Sequence, residues 1–301
     1  MELPPDRSHV PSEQSNQRSA GLHRLTVAEC VRLIHEEDRA AFTAIDRAQS
    51  DLAAFVLQAE PGFTAGGRLV YLGAGTSGRL GVLDAAELPP TFQVAATRVV
   101  GIIAGGEPAL SRSSESREDD VRGACRELSA LELGPRDAVV GITASGTTPY
   151  VLGGLEHAKR MASPPLTALM VCAAVNKPAC VDHLIVLATG PEVITGSTRM
   201  KAGTATKMAL NIISTTLMVR SGRVYRNLMV DVRATNTKLV DRAVRIITTL
   251  TELSRAAAFE LLERAGMEVK TALVMHRRQL HADAARAVLA AHGGRLDALL
   301  E

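Results

Sequence analysis

An apolar run, Arg68-Leu69-Val70-Tyr71-Leu72, passes directly into Gly73-Ala74-Gly75-Thr76-Ser77-Gly78-Arg79-Leu80. The first stretch reads as a strand buried on both faces. The second reads as a tight glycine turn feeding a helix over residues 80–87, which Pro89-Pro90 stops. Strand, glycine turn and helix start, in that order, point to an α/β architecture. They also build an anion site. Backbone N–H groups at a helix start lack partners within the helix, and the positive end of its dipole faces the turn. Thr76 and Ser77 add hydroxyls beside Gly78, where a phosphate oxygen would sit.

The same letters fit the dinucleotide fingerprint G-x-G-x-x-G, which needs an acidic residue about 20 positions later to hold a ribose. No Asp or Glu occurs from Leu88 to Gly106, so that reading lacks its partner. A Walker loop is excluded, because no Gly-Lys is followed by Ser or Thr.

Further strand-like runs are Val99–Ile103, Ala138–Ile142, Leu166–Val171 and Leu184–Leu187, with helical segments near 80–87, 114–130 and 150–162 between them. This predicts a five-stranded parallel doubly wound sheet, with ligands at the carboxyl ends of strands near the topological switch point. Leu25–Ala54 reads as a helix with Thr26 at its N-cap. Lys201–Ser221 reads as a long helix. Thr248–Glu301 reads as a helical bundle broken at Gly266 and Gly293-Gly294, with Ser254 capping a helix over Arg255–Arg264. The predicted organisation is a disordered leader over 1–21, a helical segment over 22–58, a sugar-phosphate domain over 59–222 and a C-terminal helical region over 223–301.

A second hydroxyl-rich turn, Ala144-Ser145-Gly146-Thr147-Thr148-Pro149, follows the third strand. Pro149 suits the first turn of a helix. One such cluster is ordinarily a helix cap. Two, after two strands of one sheet, would close on a phosphate from both sides. No acidic Mg²⁺-type pair accompanies them, so the phosphate reads as a fixed handle on a sugar.

Titratable candidates nearby are Glu87, with Asp84 one turn before it, and Glu115, Glu118, Asp119 and Asp120, placed at the start of the 114–130 helix. Acids in a first helical turn can be simple dipole complements. His157 and His183 stand alone and read as structural.

Composition removes several classes. Net charge is +2 with signs interspersed, and the absence of tryptophan leaves no stacking platform for nucleic acid. No apolar run reaches membrane-spanning length. Four cysteines without C-x-x-C spacing and eight scattered histidines give no metal or disulfide pattern, which suits a reducing cytoplasm. The expected cofactor and metal content is none.

These loops resemble a sugar isomerase (SIS) domain. The segment Leu83-Asp84-Ala85-Ala86-Glu87-Leu88-Pro89-Pro90 resembles that of N-acetylmuramic acid 6-phosphate etherases. So do residues 190–204, including Ser197-Thr198-Arg199-Met200-Lys201, together with residues 227–232 and 235–239. The resemblance implies removal of D-lactate from N-acetylmuramic acid 6-phosphate, leaving N-acetylglucosamine 6-phosphate. It implies Glu87 as the acid at the lactyl oxygen and Glu118 as the base at C2. It further implies phosphate binding by Thr76, Ser77, Gly78, Ser145, Gly146, Thr147 and Thr148, with Arg79, Ser197, Arg199 and Lys201 as other substrate candidates. A cytoplasmic homodimer is expected, with a site completed by the second subunit. Two departures stand out. Glu115-Ser116-Arg117-Glu118-Asp119 replaces the family's Glu-Gly-Ala-Glu-Asp, which leaves Glu115 as an alternative base, and Thr147 replaces an Arg. Competing readings are an aldose–ketose sugar-phosphate isomerase and a non-catalytic sugar-phosphate-binding regulator.

Overall fold

The computed structural model describes residues 6, 8, 10–113, 115–232 and 236–301, and for Glu115 the backbone alone. Readings that fall on residues 1–5, 7, 9, 114 and 233–235 lie outside it. The chain divides into two compact units, one of Met1–Ala86 with Thr97–Ser214, the other of Glu87–Ala96 with Thr215–Glu301.

The first unit is built on the predicted sheet. Strands β1 (Leu69–Gly73), β2 (Val99–Ile103), β3 (Ala138–Thr143), β4 (Leu166–Val171) and β5 (His183–Val186) lie in the order β2-β1-β3-β4-β5. All four pairings are parallel. β1 and β3 are buried at every residue, which is why their sequences are apolar without alternation. The chain leaves β1 for β2, then returns past β1 to β3. That reversal separates the loops after β1 and β3 and opens a crevice at their carboxyl ends. Asp137, just before β3, fixes the opposite, amino ends of these strands. Its carboxylate accepts bonds from the Arg68 backbone N–H (2.7 Å), the Arg68 guanidinium (2.8 Å) and the Gly134 N–H (2.8 Å).

Helix α1 (Val27–Thr64) starts at the predicted cap. Thr26 and Glu29 form a reciprocal capping box. Its buried residues Ala41, Ala44, Ile45, Ala48, Leu52 and Phe55 recur at helical spacing and face β5, where the Phe55 ring meets His183 edge-on at 5.7 Å. Helices α2 (Gly75–Phe92), α3 (Cys125–Ala130), α4 (Pro149–Lys159) and α5 (Lys201–Arg220) follow.

Four expectations are corrected. Residues 10–21 are not a disordered leader. They carry short helical turns at Pro11–Glu13 and Gln17–Ser19 and bury Val10, Ser12, Asn16 and Ser19. Helix α1 runs past Ala54 to Thr64. Helix α2 begins at Gly75, inside the glycine turn, and continues through Pro89-Pro90. The prolines remove the ladder donors to the Ala85 and Ala86 carbonyls, but Leu88 and Phe92 are buried one turn apart and hold the last turn in place. Finally, no helix spans 114–130. Residues 115–117 make one 3₁₀ turn, and α3 starts only at Cys125.

The second unit holds a small hairpin of β6 (Val224–Tyr225) and β7 (Leu228–Met229), then α6 (Thr237–Thr251), α7 (Arg255–Arg264), α8 (Val269–Arg278), α9 (Ala282–Ala291) and α10 (Asp297–Leu300). Ser254 caps α7 as predicted, accepting the Ala257 N–H. Its core includes Ile247, Leu262, Leu273 and Val274. Among the described residues no helix is long and apolar enough to cross a membrane.

Candidate active site

The crevice at the switch point is a cleft of about 210 Å³ within the first unit. Its first wall is the start of α2. Gly75 has φ +52°, a left-handed conformation that glycine adopts without strain, and it turns the chain from strand to helix. Gly73 and Gly78 let strand and helix touch, since a Cβ on Gly73 would lie 2.6 Å from the Gly78 nitrogen. The Gly78 N–H returns to the Ala74 carbonyl (3.3 Å), so the helix ladder begins only after Ser77. Thr76 and Ser77 line the cleft.

The second wall is the turn after β3. Ser145 and Thr148 line the cleft. Thr148 occupies the N-cap position of α4 yet makes no capping bond; its hydroxyl pairs with that of Thr143 at 2.7 Å. The Ser145 and Thr147 hydroxyls pair at 2.9 Å. Ser145 and Thr148 therefore bring hydroxyls to the cleft, and neither pair caps α4. The backbone donor at the start of α4 is instead satisfied from the third wall, because the Tyr150 N–H donates to the Glu118 carbonyl at 3.0 Å. That bond ties the Glu118 backbone to α4, and Glu118 and Asp119 line the cleft. No helix begins near residue 115, so these acids are not in the first turn of a helix of their own.

The fourth wall is one that sequence reasoning missed. Val10, Ser12 and Glu13 line the cleft together with Gly196 and Thr198. A polar, Pro-rich N-terminal stretch carries no periodicity, and nothing in it signals docking. Among the described lining residues, Glu13, Glu118 and Asp119 are acidic and none is basic. An anion here depends on the α2 backbone donors, the hydroxyls and a dipole worth about 0.3–1 kcal/mol.

Other candidates lie elsewhere. Gly78, Gly146, Thr147, Ser197 and Arg199 do not line the cleft. The Arg79 guanidinium is committed to the carbonyls of Ala109 (2.9 Å) and Arg112 (3.0 Å), so it braces a loop. Lys201 is buried against Glu37 at 2.6 Å. Asp84 is buried, accepting from the Tyr71 hydroxyl (3.0 Å) and Ser214 (3.2 Å), which holds α2 to the sheet and to α5. His157 pairs with Ser129 and His183 with Gln58, both structural as read. Glu87 is exposed on α2 and belongs to the second unit.

Fold and cleft together define an SIS-type α/β domain. Residues 52–159 match the family described as the glucokinase regulatory protein N-terminal SIS domain, and residues 226–292 match the C-terminal lid domain of that protein. A protein of Crocosphaera subtropica named N-acetylmuramic acid 6-phosphate etherase is 50% identical over 100% of this chain and 98% of its own. One of the same name from Synechocystis is 49% identical over 98% of this chain and 97% of its own. A solved phosphoheptose isomerase from Neisseria gonorrhoeae aligns at 15% identity and TM-score 0.43, covering 66% of this chain and 98% of its own. The chain belongs to the N-acetylmuramic acid 6-phosphate etherase family.

Proposed function

We propose that this chain is a carbon–oxygen lyase that cleaves the lactyl ether of N-acetylmuramic acid 6-phosphate, giving N-acetylglucosamine 6-phosphate and D-lactate. The supporting observation is the convergence of the α2 start, the Ser145 and Thr148 hydroxyls and Glu118 on one cleft. The 6-phosphate sits at the α2 start, within reach of Ser77 and Ser145. With the ring open, C1 is an aldehyde and the C2 proton becomes acidic. Glu118 removes that proton; the electron pair moves through an enolate and expels the C3 ether oxygen, which Glu87 protonates as lactate leaves. Water then adds to the C2–C3 alkene at C3. Each acid or base group contributes about 10²–10⁴-fold.

Glu87 stands on α2 twelve residues after Gly75. We place its carboxylate in the cleft of a second copy, making the active form a homodimer. The setting is recycling of cell-wall amino sugars in the cytoplasm. Incubation of the purified protein with N-acetylmuramic acid 6-phosphate should release D-lactate; none released, or a ketose phosphate formed instead, would overturn this reading.

A further inference from the structure

We propose that the N-terminal stretch, residues 10–19, is a strap forming one wall of the sugar cleft, and that Glu13 is a specificity-determining residue whose carboxylate accepts a hydrogen bond from the amino sugar. The proposal rests on the sugar-phosphate reading of the cleft.

The strap is anchored on both sides of Glu13. On one side Val10 and Ser12 are 5% and 7% exposed, and the Ser12 carbonyl accepts the Gly196 N–H at 2.9 Å. On the other, the Asn16 amide donates to Glu37 (2.7 Å) and to the Pro191 carbonyl (3.3 Å). Arg18 bridges Glu36 (2.7 Å) and Glu37 (2.6 Å) on α1. Glu13 lies between these anchors and faces the cleft. Its Oε1 accepts from the Ser12 hydroxyl at 3.1 Å, and its Oε2 lies over Gly196, within 3.4 Å of where a Cβ would stand.

An ionised carboxylate accepts hydrogen bonds and donates none. Neither the phosphate nor the lactyl carboxylate can be its partner, since like charges repel. The donors that remain on the substrate are its hydroxyl and amide N–H groups. The walls therefore divide the work: the α2 start and the 145–148 turn hold any phosphate, and the strap tests for a sugar carrying a donor. A hydrogen bond to a charged group contributes enough for roughly a 10-fold affinity difference.

The test is calorimetric titration of the unaltered protein, Glu13→Ala and Arg18→Ala with two probes, inorganic phosphate and N-acetylglucosamine 6-phosphate. Glu13 is exposed, so its substitution leaves the core intact. Glu13→Ala should lose roughly 10-fold in affinity for the sugar phosphate with phosphate affinity unchanged. Arg18→Ala, which loosens the anchor without touching the cleft, should shift the sugar phosphate in the same direction by less, raising KM and sparing kcat. Unchanged sugar-phosphate affinity in Glu13→Ala, or equal losses for both probes, would overturn the strap. Failure of the parent reading looks different: the unaltered protein would bind the sugar phosphate no better than inorganic phosphate, and the strap proposal would fall with it.

Discussion

The Lys201 ammonium lies 2.6 Å from Glu37, with the two side chains only 5% and 7% exposed. The pair joins the first residue of α5 to the third turn of α1. Beside it, the Glu192 carboxylate accepts the Lys201 and Ala202 N–H groups at 3.2 and 2.9 Å and so caps α5. Removing one member of a buried pair costs about 3–5 kcal/mol where the other charge is left uncompensated; here Glu37 would keep Arg18 (2.6 Å) and the Asn16 amide (2.7 Å), so the cost should fall below that range. Lys201→Ala should therefore lower the denaturant midpoint. Lys201→Met combined with Glu37→Leu should recover only part of that loss, since the apolar pair leaves the buried Asn16 amide and Arg18 without the Glu37 carboxylate. A Lys201→Ala protein of unaltered stability that fails to bind sugar phosphate would return Lys201 to the list of substrate contacts.

Acid should destabilise the first unit through Glu37 and Asp137. Burial raises both carboxyls, but Lys201 and Asn16 outweigh it at Glu37, and Arg68 with the Gly134 N–H outweighs it at Asp137, so both end below their ordinary values. A depressed folded pKa gives stability that is complete above the unfolded value, about 4, and is lost as pH falls through the folded one. Glu192 runs the other way, raised by burial, so its contribution is present in acid and lost as pH rises through its folded value. Thermal unfolding from pH 7 to pH 3 should show the midpoint falling below about pH 4, and falling less steeply in Asp137→Asn, which has already lost that linkage. Identical pH slopes in the two proteins would contradict this.

Much of this was legible in the sequence because it was local. Five apolar runs gave the sheet, and two, Val99–Ile103 and Leu166–Val171, match their strands residue for residue. Ser254 and Thr26 marked helix starts because a hydroxyl before a periodic segment has a mechanical role there. The Pro-Pro stop failed because helix termination by proline can be overridden when the flanking apolar residues, here Leu88 and Phe92, are buried. What the sequence leaves open at the site is non-local. Lys201 and Arg79 look like anion binders in a one-dimensional string, and only the fold brings Glu37 or the Ala109 carbonyl to them. Glu13 was invisible because its position is set by Gly196, far away in sequence.

The phosphate cradle can be tested by its two halves. Ser77→Ala and Ser145→Ala each remove a hydroxyl that lines the cleft, and each should weaken sugar-phosphate binding by about 5- to 30-fold. Thr147 is exposed and does not line the cleft, so Thr147→Ala should bind almost as the parent does. Titration with phosphorylated and unphosphorylated N-acetylglucosamine separates the contributions. A Ser77→Ala protein that keeps the full preference for the phosphorylated sugar would remove the α2 start from the cradle.

The two glutamates should separate by chemistry and by subunit. Glu118→Gln removes the base, so in D₂O the substrate should neither exchange its C2 proton nor release lactate. Glu87→Gln keeps the base and the open-chain aldehyde, so exchange should continue while release falls by about 10²–10⁴-fold. Proton NMR reads both. Exchange that survives in Glu118→Gln and disappears in Glu87→Gln would reverse the two roles, and full activity in Glu118→Gln with loss in Glu115→Gln would move the base to Glu115. The same variants test the shared site. If each cleft draws Glu118 from one chain and Glu87 from the other, a mixed dimer of the two inactive variants carries one cleft with both glutamates intact. Equal mixing with random exchange makes about half the dimers mixed, so activity should return to about one quarter of the unaltered level. No recovery, with exchange of subunits verified by mass, would show that both glutamates serve one cleft from the same chain.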